Sequence, residues 1–237
     1  QGAILAAELA RRGIIGSKEI VEGRYGFFRT YIRGCEPDWD GIVDRLGAYF
    51  PLIEKHGFKV WPACAYTRTT NAATLALQQQ HGLTPDDIES ITIVGGTGGT
   101  QLLCEPIELK RRPKVSIDGK YSIPFTTAVM AAKGDVTLRD YTQEGLNDPR
   151  VLAMANRVSY RPASQPVTGK GGSAAISSTS VEIVTRDGRR FEHRATGVPG
   201  DPKNPVSWER LEAKFRDCVS FSAKPVSAGK VDRATEM

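Results

Sequence analysis

Lys59, Cys64 and Arg68 fall close together in the stretch GFKVWPACAYTRTTN, which runs from Gly57 to Asn71. A lysine and an arginine at this spacing can hold carboxylates, the arginine as a bidentate fork, and a thiol between them is a weak hydrogen-bond donor. Two readings are open. The cluster is the floor of an active site, or it is the charged start of a helix, because the residues that follow are small helix formers. Single lysines are mostly surface charges and a free cysteine mostly packs, so the residue types alone leave the second reading the simpler one.

Other chemistry-bearing groups are sparse. Cys35, Cys64, Cys104 and Cys218 lie far apart with no C-x-x-C, and only His56, His81 and His193 could join them. That spacing suggests neither zinc nor iron–sulfur ligation, so no metal is expected. Each histidine reads as structural. Gly95-Gly96-Thr97-Gly98-Gly99-Thr100 has backbone suited to an anion, but it lacks the Gly-Lys-Ser/Thr ending and the Gly-x-Gly-x-x-Gly spacing and reads as a loop.

Elements must position these groups. Apolar spacing predicts a helix from Ile4 to Arg12, a short one from Ser17 through Val21 and another through Ile42, Val43 and Leu46 towards Pro51. The aromatics Tyr25, Phe27, Phe28 and Tyr31 read as packing residues. A helix follows from Thr67 to Gln80 with His81-Gly82 as its stop, then a brief helix opened by Thr84-Pro85-Asp86-Asp87. Ser90 to Val94 is a β-branched strand. Helices are expected over Tyr121–Lys133, Leu138–Tyr141 and Pro149–Val158, and Asp187-Gly188 joins strands Ser177–Thr185 and Arg190–Thr196 as a hairpin. Ser207 caps a helix from Trp208 to Val219; beyond Phe221 the tail reads as loosely held.

The totals limit the function classes. The chain has 237 residues, with 32 Lys and Arg against 27 Asp and Glu, a net charge of +5. Apart from Lys110-Arg111-Arg112-Pro113-Lys114 the excess is scattered, so a small anionic substrate accounts for it at least as well as nucleic acid, whose binders show clustered basic faces with aromatics between them. A mean hydropathy of −0.32 and no long apolar run argue against a membrane span. Few, dispersed thiols fit a reducing compartment and a cytoplasmic location. The chain opens Gln1-Gly2-Ala3 without Met and reads as an internal start.

Several stretches together resemble the MmgE/PrpD family. They are Glu22-Gly23-x-x-Gly26-Phe27-Phe28; Lys59-x-Trp61-Pro62-x-Cys64 running into an Ala-rich helix; Arg112-Pro113 followed by Gly119-Lys120-Tyr121-Ser122-Ile123-Pro124-Phe125; and Gly200-Asp201-Pro202-x-Asn204-Pro205. The resemblance implies an α+β chain: helical-domain pieces at 1–57 and 198–237 flanking a smaller α+β lid at 58–197. It implies a homodimer and a further helical segment ahead of Gln1 that supplies acidic, hydroxyl and histidine groups to the site.

The resemblance also implies an activity, that of a cofactor-independent lyase on a di- or tricarboxylate, most like 2-methylcitrate dehydratase. Decarboxylation, epimerisation and a non-catalytic fragment or partner subunit stay open beside it. Proton removal next to a carboxylate builds charge beside charge, so fixed cations and donors must meet it. Lys59 and Lys120 are the expected carboxylate clamps, with Cys64 as their neighbour at a position the family fills with His, Cys or Ser. Arg68 departs from the family, standing where most members carry a His. It stays charged and can bind a carboxylate but exchanges no proton.

Overall fold

A computed structural model describes residues 2–32, 34, 36–50, 57–95, 99–163, 179–194, 197 and 199–236. The chain divides into two compact units, Gln1–Pro51 and Leu52–Met237.

The first unit is built of short helices. Helix α1 (Gly2–Arg11) carries the expected periodicity and a Glu8–Arg11 ion pair of 2.8 Å, and it stops where Gly13 takes a φ of 90°. Helices α2 (Phe27–Tyr31) and α3 (Trp39–Val43) are single turns. Phe28 lies edge-on to Trp39 at 4.8 Å and Phe27 against Tyr31 at 5.1 Å, but Tyr25, Phe27 and Tyr31 are exposed, so these aromatics touch without forming the buried packing expected of them. The Ser17 helix is instead a run of turns, and α3 ends at Val43 rather than near Pro51. Segments this short gain too few hydrogen bonds to offset the cost of nucleation.

The second unit is an α+β body around a four-stranded sheet in the order β2-β1-β3-β4. Strand β1 (Ile88–Gly95) runs parallel to β2 (Val158–Pro162) and antiparallel to β3 (Ser180–Thr185), which pairs with β4 (Arg190–Arg194). Register sets Ile91 beside Ile183 and Ile93 beside Val181, so alternate residues of β1 and β3 are wholly buried. Glu182 faces Glu192 across the other side, where Arg161 reaches Glu182 at 2.6 Å and relieves the like-charge pair.

Two long helices cover the buried face. Helix α4 (Thr67–His81) packs on β3 and β4 and ends as predicted on Gly82, left-handed at φ 62°. Between β1 and β2 the chain forms α5 (Gly99–Cys104), α6 (Ile107–Arg111), α7 (Ser116–Lys120), α8 (Ile123–Lys133), a 3₁₀ turn (Leu138–Tyr141), α9 (Gln143–Leu146) and α10 (Pro149–Ala155). Helix α8 is the centre: Ile123 to Ala131 are all buried, and α4, α10 and β2 surround it. Each large side chain buried there contributes about 1.5–3 kcal/mol. It starts two residues later than predicted because Ser122 caps it, accepting from the Phe125 N–H at 3.0 Å.

Three other expectations are corrected. Thr84–Asp87 is a turn, since the Asp87 carboxylate takes both the N–H and the hydroxyl of Thr84 (2.8 and 2.6 Å) and the strand follows at once. Helix α10 ends at Ala155; the Arg157 carbonyl accepts from Ile91 N–H at 3.0 Å and its side chain reaches the Ile88 carbonyl at 2.7 Å, turning the chain into β2. The tail is ordered into α12 (Ala228–Thr235), which buries Val231 and meets α11 (Trp208–Ser220) through Arg216 and Asp232 at 2.9 Å.

Candidate functional site

The site lies where the segment before α4 crosses the surface of the second unit. Its backbone is tied down along its length: the Phe58 N–H donates to the Gly200 carbonyl at 2.8 Å, and the Cys64 N–H to the Lys120 carbonyl at 2.9 Å. The Trp61 indole N–H donates to Asp135 at 2.8 Å, and Arg210 from α11 grips the same carboxylate with both terminal nitrogens at 2.6 and 2.9 Å. Gly200, at φ 91°, lies so close to Phe58 that a side chain there would strike the Phe58 carbonyl. The Gly200–Asn204 turn is therefore part of the site's scaffold.

The cations this scaffold holds face one pocket of about 290 Å³, lined by Lys59, Trp61, Pro62, Cys64, Lys120 and Lys214 among others. The fold thus brings together Lys59, Cys64 and Lys120, three of the four expected residues. It adds Lys214 from α11, whose ammonium donates to the Lys59 carbonyl. Among the described residues no carboxylate pairs with any of the three lysines. The Lys120 ammonium sits 5.5 Å from the centre of the Tyr141 ring, a cation–π contact that holds it without neutralising it. Burial pushes Lys214 below the ordinary lysine range, and the charges of Lys59, Arg210 and Arg68 add to that, against an opposing pull from Cys218.

Arg68 is not on the pocket's lining. Its side chain is 11% exposed and its guanidinium donates to the Pro199 carbonyl at 3.1 Å and pairs with Asp201 at 3.3 Å, leaving Nε buried without a partner among the described residues. It fastens the Gly200–Asn204 turn to α4, and it adds positive potential from behind.

The remaining candidates lie apart. His81 stacks on Phe191 at 4.0 Å, His193 lies on β4 opposite Val181, and His56 and Cys35 fall outside the described residues. Burial raises the Cys104 thiol to about 12, so it is no nucleophile at neutral pH. Among the described residues no cluster of His, Cys, Asp or Glu could hold a metal, and no helix is long and apolar enough to cross a membrane. Residues 96–98 of the glycine run are outside the described set; Gly99 is needed because a side chain there would collide with the Tyr66 ring.

The sequence profile of the MmgE/PrpD C-terminal domain matches residues 61–234, most of the chain. The chain belongs to the MmgE/PrpD family. Within it, the chain is 24% identical over 221 residues to the cis-aconitate decarboxylase of Homo sapiens, covering 90% of this chain and 43% of the relative. It therefore spans less than half the length of that MmgE/PrpD protein. Lys214 is the site residue that sequence reasoning missed: on an amphipathic helix it reads as part of the solvent face, and only the fold brings it to Lys59.

Proposed function

We propose that this chain supplies the carboxylate-holding part of a lyase acting on a di- or tricarboxylate, most like a 2-methylcitrate dehydratase. The observation that carries the reading is the pocket with three lysines and no facing carboxylate among the described residues. Lys120 and Lys214 are partly withdrawn from water, which is unfavourable for an unpaired cation unless an anion meets it. Three ammonium groups around a small volume suit a ligand with two or three carboxylates.

In the reaction, a proton leaves the carbon next to a carboxylate and hydroxide leaves the neighbouring carbon. Negative charge develops on the carboxylate oxygens as the proton departs, and Lys59, Lys120 and Lys214 stabilise that charge more than the ground state's. Cys64 offers a weak donor at the same wall. Arg68, fixed on Asp201, shapes the potential and transfers no proton. In this reading residues 58–197 act as a lid over the substrate, residues 1–57 and 198–237 belong to a helical domain, and the proton-transferring groups come from a further helical segment of a homodimeric enzyme.

Decarboxylation is the second reading, favoured by the match to a cis-aconitate decarboxylase. The two differ in product. Incubation of the enzyme that includes that helical segment with 2-methylcitrate and with cis-aconitate, followed by mass spectrometry and carbon dioxide release, should give an unsaturated tricarboxylate that has lost water from the first. Carbon dioxide from the second alone favours decarboxylation. Neither product, together with no binding of any di- or tricarboxylate, contradicts both.

A further inference from the structure

Lys214 lines two depressions at once. On α11 it stands beside Phe58, Trp208, Leu211 and Phe215 in an apolar groove, and it also lines the lysine pocket, where its nitrogen donates to the Lys59 carbonyl. The carboxylates of the surrounding elements are already engaged. Asp135 holds Arg210 at 2.6 Å, Asp201 holds Arg68 at 3.3 Å and Glu212 holds Arg216 at 2.7 Å. Burial thus meets no compensating ion pair at Lys214 among the described residues. It pushes the group below the ordinary lysine range, with Lys59, Arg210 and Arg68 adding to the effect and Cys218 opposing it. A lysine withdrawn from water beside other cations is a neutral amine for more of the time than a solvated one, and the neutral form is a nucleophile. Donation to the Lys59 carbonyl uses one N–H and leaves the lone pair of that form open.

We propose that Lys214 is a covalent amine site, condensing with the ketone of an oxo-dicarboxylate whose carboxylates rest on Lys59 and Lys120. The inference rests on the polycarboxylate reading above for how the ligand is held, and goes beyond it in the bond that forms. The Lys214 nitrogen adds to the carbonyl carbon. The carbonyl oxygen then leaves as water, with one proton from the nitrogen and one from the medium, and the nitrogen keeps its other proton in a protonated imine. The step balances without an oxidant or reductant. The positive charge that burial disfavours on the free lysine returns on the imine, now beside the ligand's own carboxylates. Lys59 and Lys120 supply what an isolated amine lacks: they hold the ketone at the nitrogen, and groups held in that way react as if at high concentration.

Trapping with sodium cyanoborohydride, which reduces protonated imines, tests this on the 237-residue chain with 2-oxoglutarate as the probe and peptide mass mapping as the readout. The reduced adduct should form on Lys214 at least about tenfold faster than on Lys230, an exposed lysine of α12. Excess citrate should suppress it, and acetone, which has no carboxylate to be held, should label Lys214 more slowly. Lys214→Arg keeps the charge without the nucleophile; it should still bind citrate, melt at the wild-type temperature and lose that adduct. Labelling of Lys214 no faster than of Lys230, with citrate still bound, would overturn the inference and spare the polycarboxylate reading. Equal labelling by acetone and 2-oxoglutarate would also overturn it, since the ketone would then react without being held. Failure of labelling and of citrate binding together would remove the reading underneath.

Discussion

The ammonium of Lys214 donates to the main-chain carbonyl of Lys59. One hydrogen bond thus joins residues 155 positions apart, holding the segment that carries the first cation of the pocket and setting a second cation beside it. Lys214→Met removes both effects. Citrate affinity should fall about tenfold, or about 1.4 kcal/mol, and Lys214→Arg should recover part of it by restoring charge. Calorimetric titration of the three proteins decides this; equal affinities would detach Lys214 from the site.

The same residue makes binding depend on pH. Burial, helped by Lys59, Arg210 and Arg68, depresses Lys214 in the free protein, and a bound anion favours the charged form and raises it again. Affinity is therefore full below the free-state value, which lies under the ordinary 10.5, and declines as pH rises through it. Binding there should take up protons, measurable as a dependence of calorimetric heat on buffer ionisation enthalpy. Lys214→Arg should abolish that dependence, and a proton release on binding would contradict the assignment.

Stability carries a separate signature at Lys133, which bridges Asp140 at 2.8 Å and Asp148 at 3.0 Å. Burial alone would lower Lys133, yet the bonds to Asp140 and Asp148 outweigh it and hold it above 10.5. Asp148, which burial pushes upward instead, is carried below 3.8 by Lys133 and by backbone N–H groups. A raised lysine stabilises fully below its unfolded value and loses that contribution as pH rises through the folded one; a lowered carboxylate stabilises above its unfolded value and loses that as pH falls. Lys133→Met should cost about 1 kcal/mol near neutral pH and flatten urea-unfolding stability at both ends of the scale.

Arg68 separates scaffold from chemistry. Arg68→Ala leaves Asp201 and the Pro199 carbonyl without their donor and should destabilise the chain by about 1–3 kcal/mol in urea unfolding. Citrate affinity, measured at a temperature where the variant is folded, should fall by less than for Lys214→Met. A larger loss for Arg68→Ala would place its guanidinium on the ligand.

Much of this fold is legible in local chemistry. Ser207 and Gly82 mark ends of α11 and α4 because caps satisfy backbone groups in place, and Asp187-Gly188 turns β3 into β4 in the same way, whereas the Ser122 cap of α8 goes unread. Strand β2 is hidden because its short stretch continues a helical pattern, and its pairing with β1 depends on contacts from Arg157 to residues far back in the chain. Helix α12 is hidden because it buries one apolar side chain, Val231, and is held to α11 by the Arg216–Asp232 pair. The site divides likewise. Lys59 and Cys64 share a sequence motif and Lys120 another, whereas Lys214 and the pairing of Arg68 with Asp201 exist only once the chain has closed on itself.

The account centres on the lysine pocket as a polycarboxylate site, and titration of citrate into the wild-type chain and Lys59→Ala tests it most directly. Lys59 is exposed and its removal should leave the unliganded melting temperature unchanged. The prediction is saturable, salt-sensitive binding to the wild type, raising its melting temperature as a native-state ligand must, with affinity lowered at least about tenfold in Lys59→Ala, or about 1.4 kcal/mol. No binding to the wild type, or equal binding to both proteins, would contradict it.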